Sequence, residues 1–221
     1  MSYERNETKV ALSRGSFYGF LTEAFIRLPD EDFIKRITSA PMKSFLDQIK
    51  GIDHSKLRAG AAMVLGFSEG ITPEHQRNIM EAMAVDRTRL IRSAGRGRLK
   101  APYEGLYKKK EEAHIVLLHV KNFYQRLGII PISYANDAPD FFCTELDFMK
   151  QLCLLEASAH SNTAEVRRME KEFLSQHLGS WIGDYCKAAG EVARTDFYKG
   201  LLLLLDGFME LEKSYDSEET D

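Results

Sequence analysis

The sequence predicts an all-α fold, a single-domain helical bundle, and three observations carry that reading. Apolar residues recur at three- and four-residue spacing along almost the whole 221-residue chain. Pro29, Pro73 and Gly128 stand where periodic runs begin or end, as helix boundaries require. No run of four to eight residues alternates as a strand with turn signals on both sides; the nearest, 128 to 134, is weakened by Pro131.

The elements follow in order. Val10, Phe17, Phe20, Leu21, Ala24, Phe25 and Leu28 form one stripe that Pro29 stops. Lys56 to Leu65 reads as helix. Thr72 as N-cap and Pro73 in the first turn open a long helix whose apolar face carries Ile79, Met83 and Leu90. Val116, Val120, Phe123 and Leu127 repeat the pattern, with Gly128 as the C-terminal cap. A helix should open near Pro139 and Asp140, its wide apolar stripe including Phe142, Leu146, Phe148, Met149, Leu152 and Cys153. From Asp196 to about Glu212 apolar residues lie on every side, which places that helix at the centre of the bundle. Two segments resist a helical reading: Ser93 to Lys110, with Gly95, Gly97, Pro102 and Gly105, and Ile129 to Ala138, with Pro131. The domain is expected over residues 1–214, followed by a disordered acidic tail over 215–221.

Composition bounds the function. A formal charge of −3 gives no global attraction for nucleic acid or anionic membrane. The longest apolar run, Gly200 to Met209, is broken by Asp206 and falls far short of the roughly 20 residues that cross a bilayer. Met1 to Lys9 is polar and offers no signal-like apolar stretch, so a cytoplasmic protein without an integral membrane span is expected. Cys143, Cys153 and Cys186 are odd in number and widely spaced, which suits neither a disulfide framework nor a metal knuckle. They read as small packed hydrophobes.

Local strings were weighed for chemistry. Gly66-Phe67-Ser68-Glu69-Gly70 matches the GxSxG string of serine hydrolases, but helix precedes it and a loop follows, where a nucleophile elbow needs a strand before and a helix after. Gly95-Arg96-Gly97-Arg98 lacks the third glycine of a dinucleotide fingerprint and the Lys-Ser/Thr of a phosphate loop. The six histidines show no metal-ligand spacing. Arg87, Arg89, Arg92, Arg96, Arg98 and Lys100 could follow a nucleic-acid backbone, yet no stacking or base-reading motif accompanies them. The chain therefore reads as a non-enzyme without cofactor, with a Ser68 hydrolase or an Arg87–Lys100 nucleic-acid binder as the alternatives.

Several strings in order resemble the TorD/DmsD/NarJ family of redox-enzyme maturation chaperones. They are Asp86-Arg87-Thr88-Arg89-Leu90-Ile91, Ala101-Pro102-Tyr103-Glu104-Gly105-Leu106-Tyr107, Phe123-Tyr124 with Gly128, and Pro139-Asp140-Phe141-Phe142-Cys143-Thr144-Glu145-Leu146-Asp147-Phe148-Met149. Phe173-Leu174, His177-Leu178 and Trp181, then Phe197-Tyr198, complete the series. Phe141 stands where the family usually carries histidine, Ile91 for phenylalanine and Gly105 for serine, and Arg96 to Lys100 is a basic insert.

The resemblance implies a TorD-like fold and a partner: the leader or amino-terminal segment of a molybdopterin oxidoreductase precursor, often a twin-arginine signal with an apolar stretch behind it. Such a segment needs an apolar groove, where burying about 400 Å² contributes roughly 10 kcal/mol before ordering and association costs. Its arginines need carboxylates in a partly dry place. Leu90, Pro102, Tyr103, Glu104, Tyr107, Asp140, Phe141, Glu145, Asp147 and Phe148 are the expected peptide-binding residues. Asp140, Thr144 and Asp147 would share a helix face beside Phe141, Glu145 and Phe148, making a mixed acidic and aromatic strip. Family members can exchange helices between protomers, so a monomer and a domain-swapped dimer with its hinge at Ile129 to Ala138 are both compatible.

Overall fold

The computed structural model describes residues 2–92, 99–109, 111–126, 128–129, 138–158 and 163–218, with side chains from 6 to 214. Among them the chain is all-α, as predicted. Eleven helices follow one another: α1 (Ser2–Ile26), α2 (Glu31–Ile37), α3 (Ala40–Lys50), α4 (Ser55–Glu69), α5 (Gln76–Arg92), α6 (Glu104–Tyr107), α7 (Ala113–Arg126), α8 (Phe142–Ser158), α9 (Thr163–Gln176), α10 (Leu178–Val192) and α11 (Asp196–Glu218). They group into two compact units, each discontinuous in sequence: Met1–Ile26 with Pro102–Ile182, and Arg27–Ala101 with Gly183–Asp221.

In the first unit α1 lies along α8. Gly15 sits against Cys153 and Gly19 against Lys150, so the two helices run in opposite directions. A buried ion network ties them to α9: Arg14 donates to Glu156 at 3.1 Å and pairs with Glu170 at 2.7 Å, and Arg167 donates to Glu156 at 2.6 Å. Each buried carboxylate there faces a guanidinium, which is the condition under which charge can leave water. Beside the network lies an aromatic cluster of Phe123 and Tyr124 from α7, Phe148 from α8 and Phe173 from α9, with ring centroids 4.5 to 6.0 Å apart. Gly128 closes α7 in the left-handed region at φ +61°, its N–H donating to the Gln125 carbonyl.

In the second unit α11 packs on α4 at backbone distance, with Phe197, Leu201, Leu204, Leu205 and Phe208 buried along it. Lys199, Leu203, Asp206 and Glu210 leave one face of the helix partly exposed, so it is not enclosed on every side as the apolar run predicts. Asp86 of α5 braces the start of α11 from across the unit: its carboxylate accepts from the N–H groups of Arg194 and Thr195 and from the Thr195 hydroxyl, all within 3.1 Å. These two residues precede α11, and Thr195 Oγ1 in turn accepts from the Tyr198 N–H, so Asp86 anchors the residue that caps the first turn. Asp30 and Ser39 cap α2 and α3 more simply, accepting from the N–H groups of Phe33 and Met42.

Several boundaries differ from expectation. α5 starts at Gln76, because Thr72 to His75 form a turn in which the Thr72 hydroxyl meets the His75 ring instead of capping a first helical turn. The segment expected to be irregular up to Lys110 contains the single turn α6, closed by the Lys108 N–H on the Glu104 carbonyl. α8 starts at Phe142: Phe141 donates to the Ala138 carbonyl in a turn and makes one antiparallel bridge with Tyr103. Asp140 therefore precedes the helix and does not share a helical face with Thr144 and Asp147. α11 continues to Glu218, past the expected start of the acidic tail. Residues 93–98, with Gly95, Arg96, Gly97 and Arg98, and most of the Ile129 to Ala138 hinge lie outside the described residues, as do 219–221.

Candidate functional site

Within the first unit, three strings far apart in sequence meet. The first is the 102–107 segment. Glu104 N–H donates to the Asp140 carbonyl at 2.9 Å, Phe142 N–H donates to the Pro102 carbonyl at 3.1 Å, and the Asp140 carboxylate accepts from Gly105 N–H at 3.2 Å. These bonds staple α6 to the start of α8. The third string arrives at the α9–α10 junction: His177 Nδ1 lies 3.1 Å from both Glu104 oxygens, and the Trp181 indole N–H donates to Glu145 Oε2 at 3.1 Å. Four-residue spacing puts His177 and Trp181 one turn apart, facing Glu104 and Glu145 respectively. Tyr107 stacks on Trp181 at 5.2 Å and Tyr103 on Phe141 at 5.4 Å.

Charge in this cluster is arranged with care. Glu104 is fully buried and faces two cationic or donor groups, Lys108 Nζ at 2.7 Å and His177. Glu145 is equally buried, yet only Trp181 donates to it. Burial, and then the charge of Glu104, push the Glu145 carboxyl well above the ordinary range. Its Oε1 meets no donor among the described residues. Burial also raises Asp140, against which the Gly105 hydrogen bond acts. Asp147 accepts from Gln151 at 2.7 Å and has Lys150 at 3.7 Å.

The raised Glu145 carboxyl makes a testable linkage. A group whose folded pKa is raised contributes stability that is full below the unfolded value near pH 4.3 and is lost as pH rises through the folded one. Glu145→Gln keeps an oxygen for Trp181 and an N–H for Glu104 but cannot ionise. Its stability relative to the parent is expected to climb with pH, by at most about 1.4 kcal/mol per unit. Denaturant unfolding at a series of pH values between about 5 and 8 reads this out. A difference that stays flat over that range would remove the proton from Glu145.

The structure brings together Pro102, Tyr103, Glu104, Tyr107, Asp140, Phe141 and Glu145 from the expected set, with Phe148 and Asp147 further along α8. It buries most of them: Glu104, Phe141, Glu145, Asp147 and Phe148 have almost no accessible surface, whereas Tyr103 and Tyr107 are half-buried. The acidic and aromatic strip is thus largely interior. Leu90 belongs to the second unit, buried, its carbonyl accepting from the Tyr185 hydroxyl at 3.4 Å. His177 and Trp181 were absent from the expected set although both stand in its strings; each carries a hydrogen bond to a buried carboxyl.

The strings tested for other chemistry have plain structural roles. Ser68 lies in the last turn of α4, buried, its hydroxyl donating to the Leu65 carbonyl at 2.8 Å, so no strand-turn-helix elbow presents it. Arg87 is buried and Arg89 pairs with Asp86 at 2.7 Å, which leaves little of the helical part of the basic segment for a phosphate backbone. Among the described residues no group of three or more His, Cys, Asp or Glu is placed to hold a metal ion, and no helix is long and apolar enough to cross a membrane.

The chain belongs to the nitrate reductase delta subunit family, whose model matches residues 55–187. It is similar to the perchlorate reductase assembly chaperone protein of Dechloromonas aromatica (strain RCB), 26% identical over 113 residues, which is 50% of each chain. It is also similar to the chlorate reductase assembly chaperone protein of Ideonella dechloratans, 27% identical over 86 residues, 38% of this chain and 45% of the relative. The matches span about half the length of these curated relatives. No solved structure matches.

Proposed function

We propose that this protein is a cytoplasmic chaperone for the precursor of a molybdopterin oxidoreductase, holding the leader or amino-terminal segment of that client while its cofactor is inserted and its subunits assemble. The observation that carries the reading is the convergence of the three strings on Glu104, Glu145, His177 and Trp181 in a chain of the nitrate reductase delta subunit family. The two similar relatives are named as assembly chaperones of perchlorate and chlorate reductase, which supports an oxyanion-reducing or related redox enzyme as client. The protein's work is binding, with no catalytic residue and no cofactor of its own.

In this reading the half-buried rings of Tyr103 and Tyr107 touch the client, and the buried members of the set hold them there. Asp140 fixes the 102–107 segment through the Gly105 N–H, Glu145 fixes Trp181 beneath Tyr107, and Phe141 supports Tyr103. A tyrosine pair on such a base offers a large amphipathic surface that loses little entropy on binding. Phe141 in the place of the family's histidine makes the support apolar. Asp140, which keeps a little accessible surface, would be the carboxylate for a client arginine, and a twin-arginine signal is the leader type that would use it.

The test is calorimetric. A peptide covering the first ~40 residues of a molybdopterin oxidoreductase encoded beside this chain is titrated into the intact protein, and a dissociation constant of about 1 µM or tighter is expected. Tyr107→Ala should weaken it about tenfold or more, as loss of an aromatic anchor does. Absence of binding by such peptides would sink the chaperone reading; tight binding untouched by Tyr107→Ala would sink the site.

A further inference from the structure

A cleft of about 460 Å³ opens in the first unit beside α7 and the α9–α10 junction, and its polar lining includes Lys108, Glu111, His119, Arg126, Gln176 and His177. Its floor is Phe123, over which the Arg126 guanidinium lies at 4.8 Å. Counting donors decides what it can take. Lys108 has three N–H groups, of which one meets Glu104 and one the Gln176 carbonyl, so one remains. Arg126 spends two of its five on Glu172, at 2.9 and 3.3 Å, and keeps three. Its side chain is still 47% exposed, so the bound carboxylate holds it in place without covering it.

His177 adds the feature that marks a built site. The ring is 3% exposed and lines the cleft, its Nδ1 is engaged by Glu104, and no group among the described residues hydrogen-bonds Nε2. A carboxylate behind a histidine fixes its orientation, an arrangement used where the far nitrogen must bind something. Nε2 is then the ring nitrogen left to meet a ligand. Against these donors the lining offers a single carboxylate, Glu111, and it lies 3.7 Å from the His119 imidazole. Glu104 and Glu172 are already committed to Lys108 and Arg126.

We propose that this cleft is an oxyanion site, taking a carboxylate or phosphate group on Arg126, Lys108 and His177 Nε2. A volume of this size suits a small molecule. The proposal does not depend on the chaperone reading, since it concerns a free small anion and a face of the unit that Tyr103 does not line.

The intact protein is titrated calorimetrically with inorganic phosphate and, separately, with citrate, each against sodium chloride of equal ionic strength. Saturable one-to-one binding with a dissociation constant of about 1 mM or tighter is expected for at least one of them. Arg126→Gln should weaken it about tenfold, the worth of one charge-assisted bond. Lys199→Gln on α11, far from the lining in sequence and in the other unit, should leave it unchanged. Binding of phosphate alone identifies a phosphoryl ligand, and binding of citrate alone a carboxylate. No saturable heat with either anion up to about 20 mM, or equal binding by Arg126→Gln, overturns the proposal.

Discussion

Replacing Glu104 by alanine is expected to cost the first unit about 3–5 kcal/mol of stability, the range found when one partner of a buried charged pair is removed. The loss is concentrated on His177. Lys108 is partly exposed and can turn to water, but the His177 ring is buried and its Nδ1 would have no acceptor. Glu145 would also lose the neighbouring charge that helps raise its carboxyl. Glu104→Gln keeps the shape and one acceptor oxygen, so it should cost less, about 1–2 kcal/mol, and the gap between the two variants isolates the charge from the contact. Trp181 is the only tryptophan in the sequence and lies against Tyr107 and Glu145, so its fluorescence during denaturant unfolding follows this unit. A double-mutant cycle with His177→Ala should return a coupling of more than about 1 kcal/mol. A loss below about 1 kcal/mol in Glu104→Ala would mean that the cluster is not what holds α6 to the α9–α10 junction.

How far the sequence disclosed this can be argued from single residues. The helices were legible because their apolar spacing is regular and because Gly128 could only end one. Glu104, Tyr103, Asp140 and Glu145 were legible as a group through the strings they stand in, which do converge. Their burial was not legible. A carboxylate reads as exposed unless its partner is known, and the partners of Glu104 and Glu145 lie 73 and 36 positions away. The i to i+4 spacing of Glu104 and Lys108 was the available hint that Glu104 is paired, and the spacing of His177 and Trp181 the hint that they face one neighbour. The same distance problem hid Asp86. Its string looked like the end of α5, whereas its carboxylate anchors the cap of a helix that begins 110 positions later. The early start assigned to α8 came from treating Pro139 and Asp140 as a helix opening. The Asp140 carbonyl instead accepts from the Glu104 N–H and the Pro139 carbonyl from the Tyr124 hydroxyl, tertiary demands that no local propensity records.

The glycines of the second unit give the other large effect, and they separate two opposing terms. Inside a helix, glycine to alanine is favoured by about 1 kcal/mol through backbone entropy. At Gly200 that gain is overwhelmed. An added methyl would stand 2.8 Å from the Gly60 carbonyl oxygen and 2.8 Å from Val64 Cγ2, and the nearest of these is backbone that cannot turn aside. The relation is mutual, since a methyl on Gly60 would meet the Gly200 carbonyl at 2.7 Å. α4 and α11 touch main chain to main chain, so either substitution drives them apart and opens the packing of Leu204 and Leu205 as well. Gly200→Ala is expected to cost about 3 kcal/mol net. Gly190 on α10 is the control. It is also inside a helix, but no atom lies within 4 Å of the methyl it would gain, so Gly190→Ala should stabilise by about 0.5–1 kcal/mol. Thermal unfolding followed by circular dichroism reads both signs in one experiment. If Gly200→Ala were neutral or stabilising, α4 and α11 would not be packed at backbone contact, and the core assigned to the second unit would have to be redrawn.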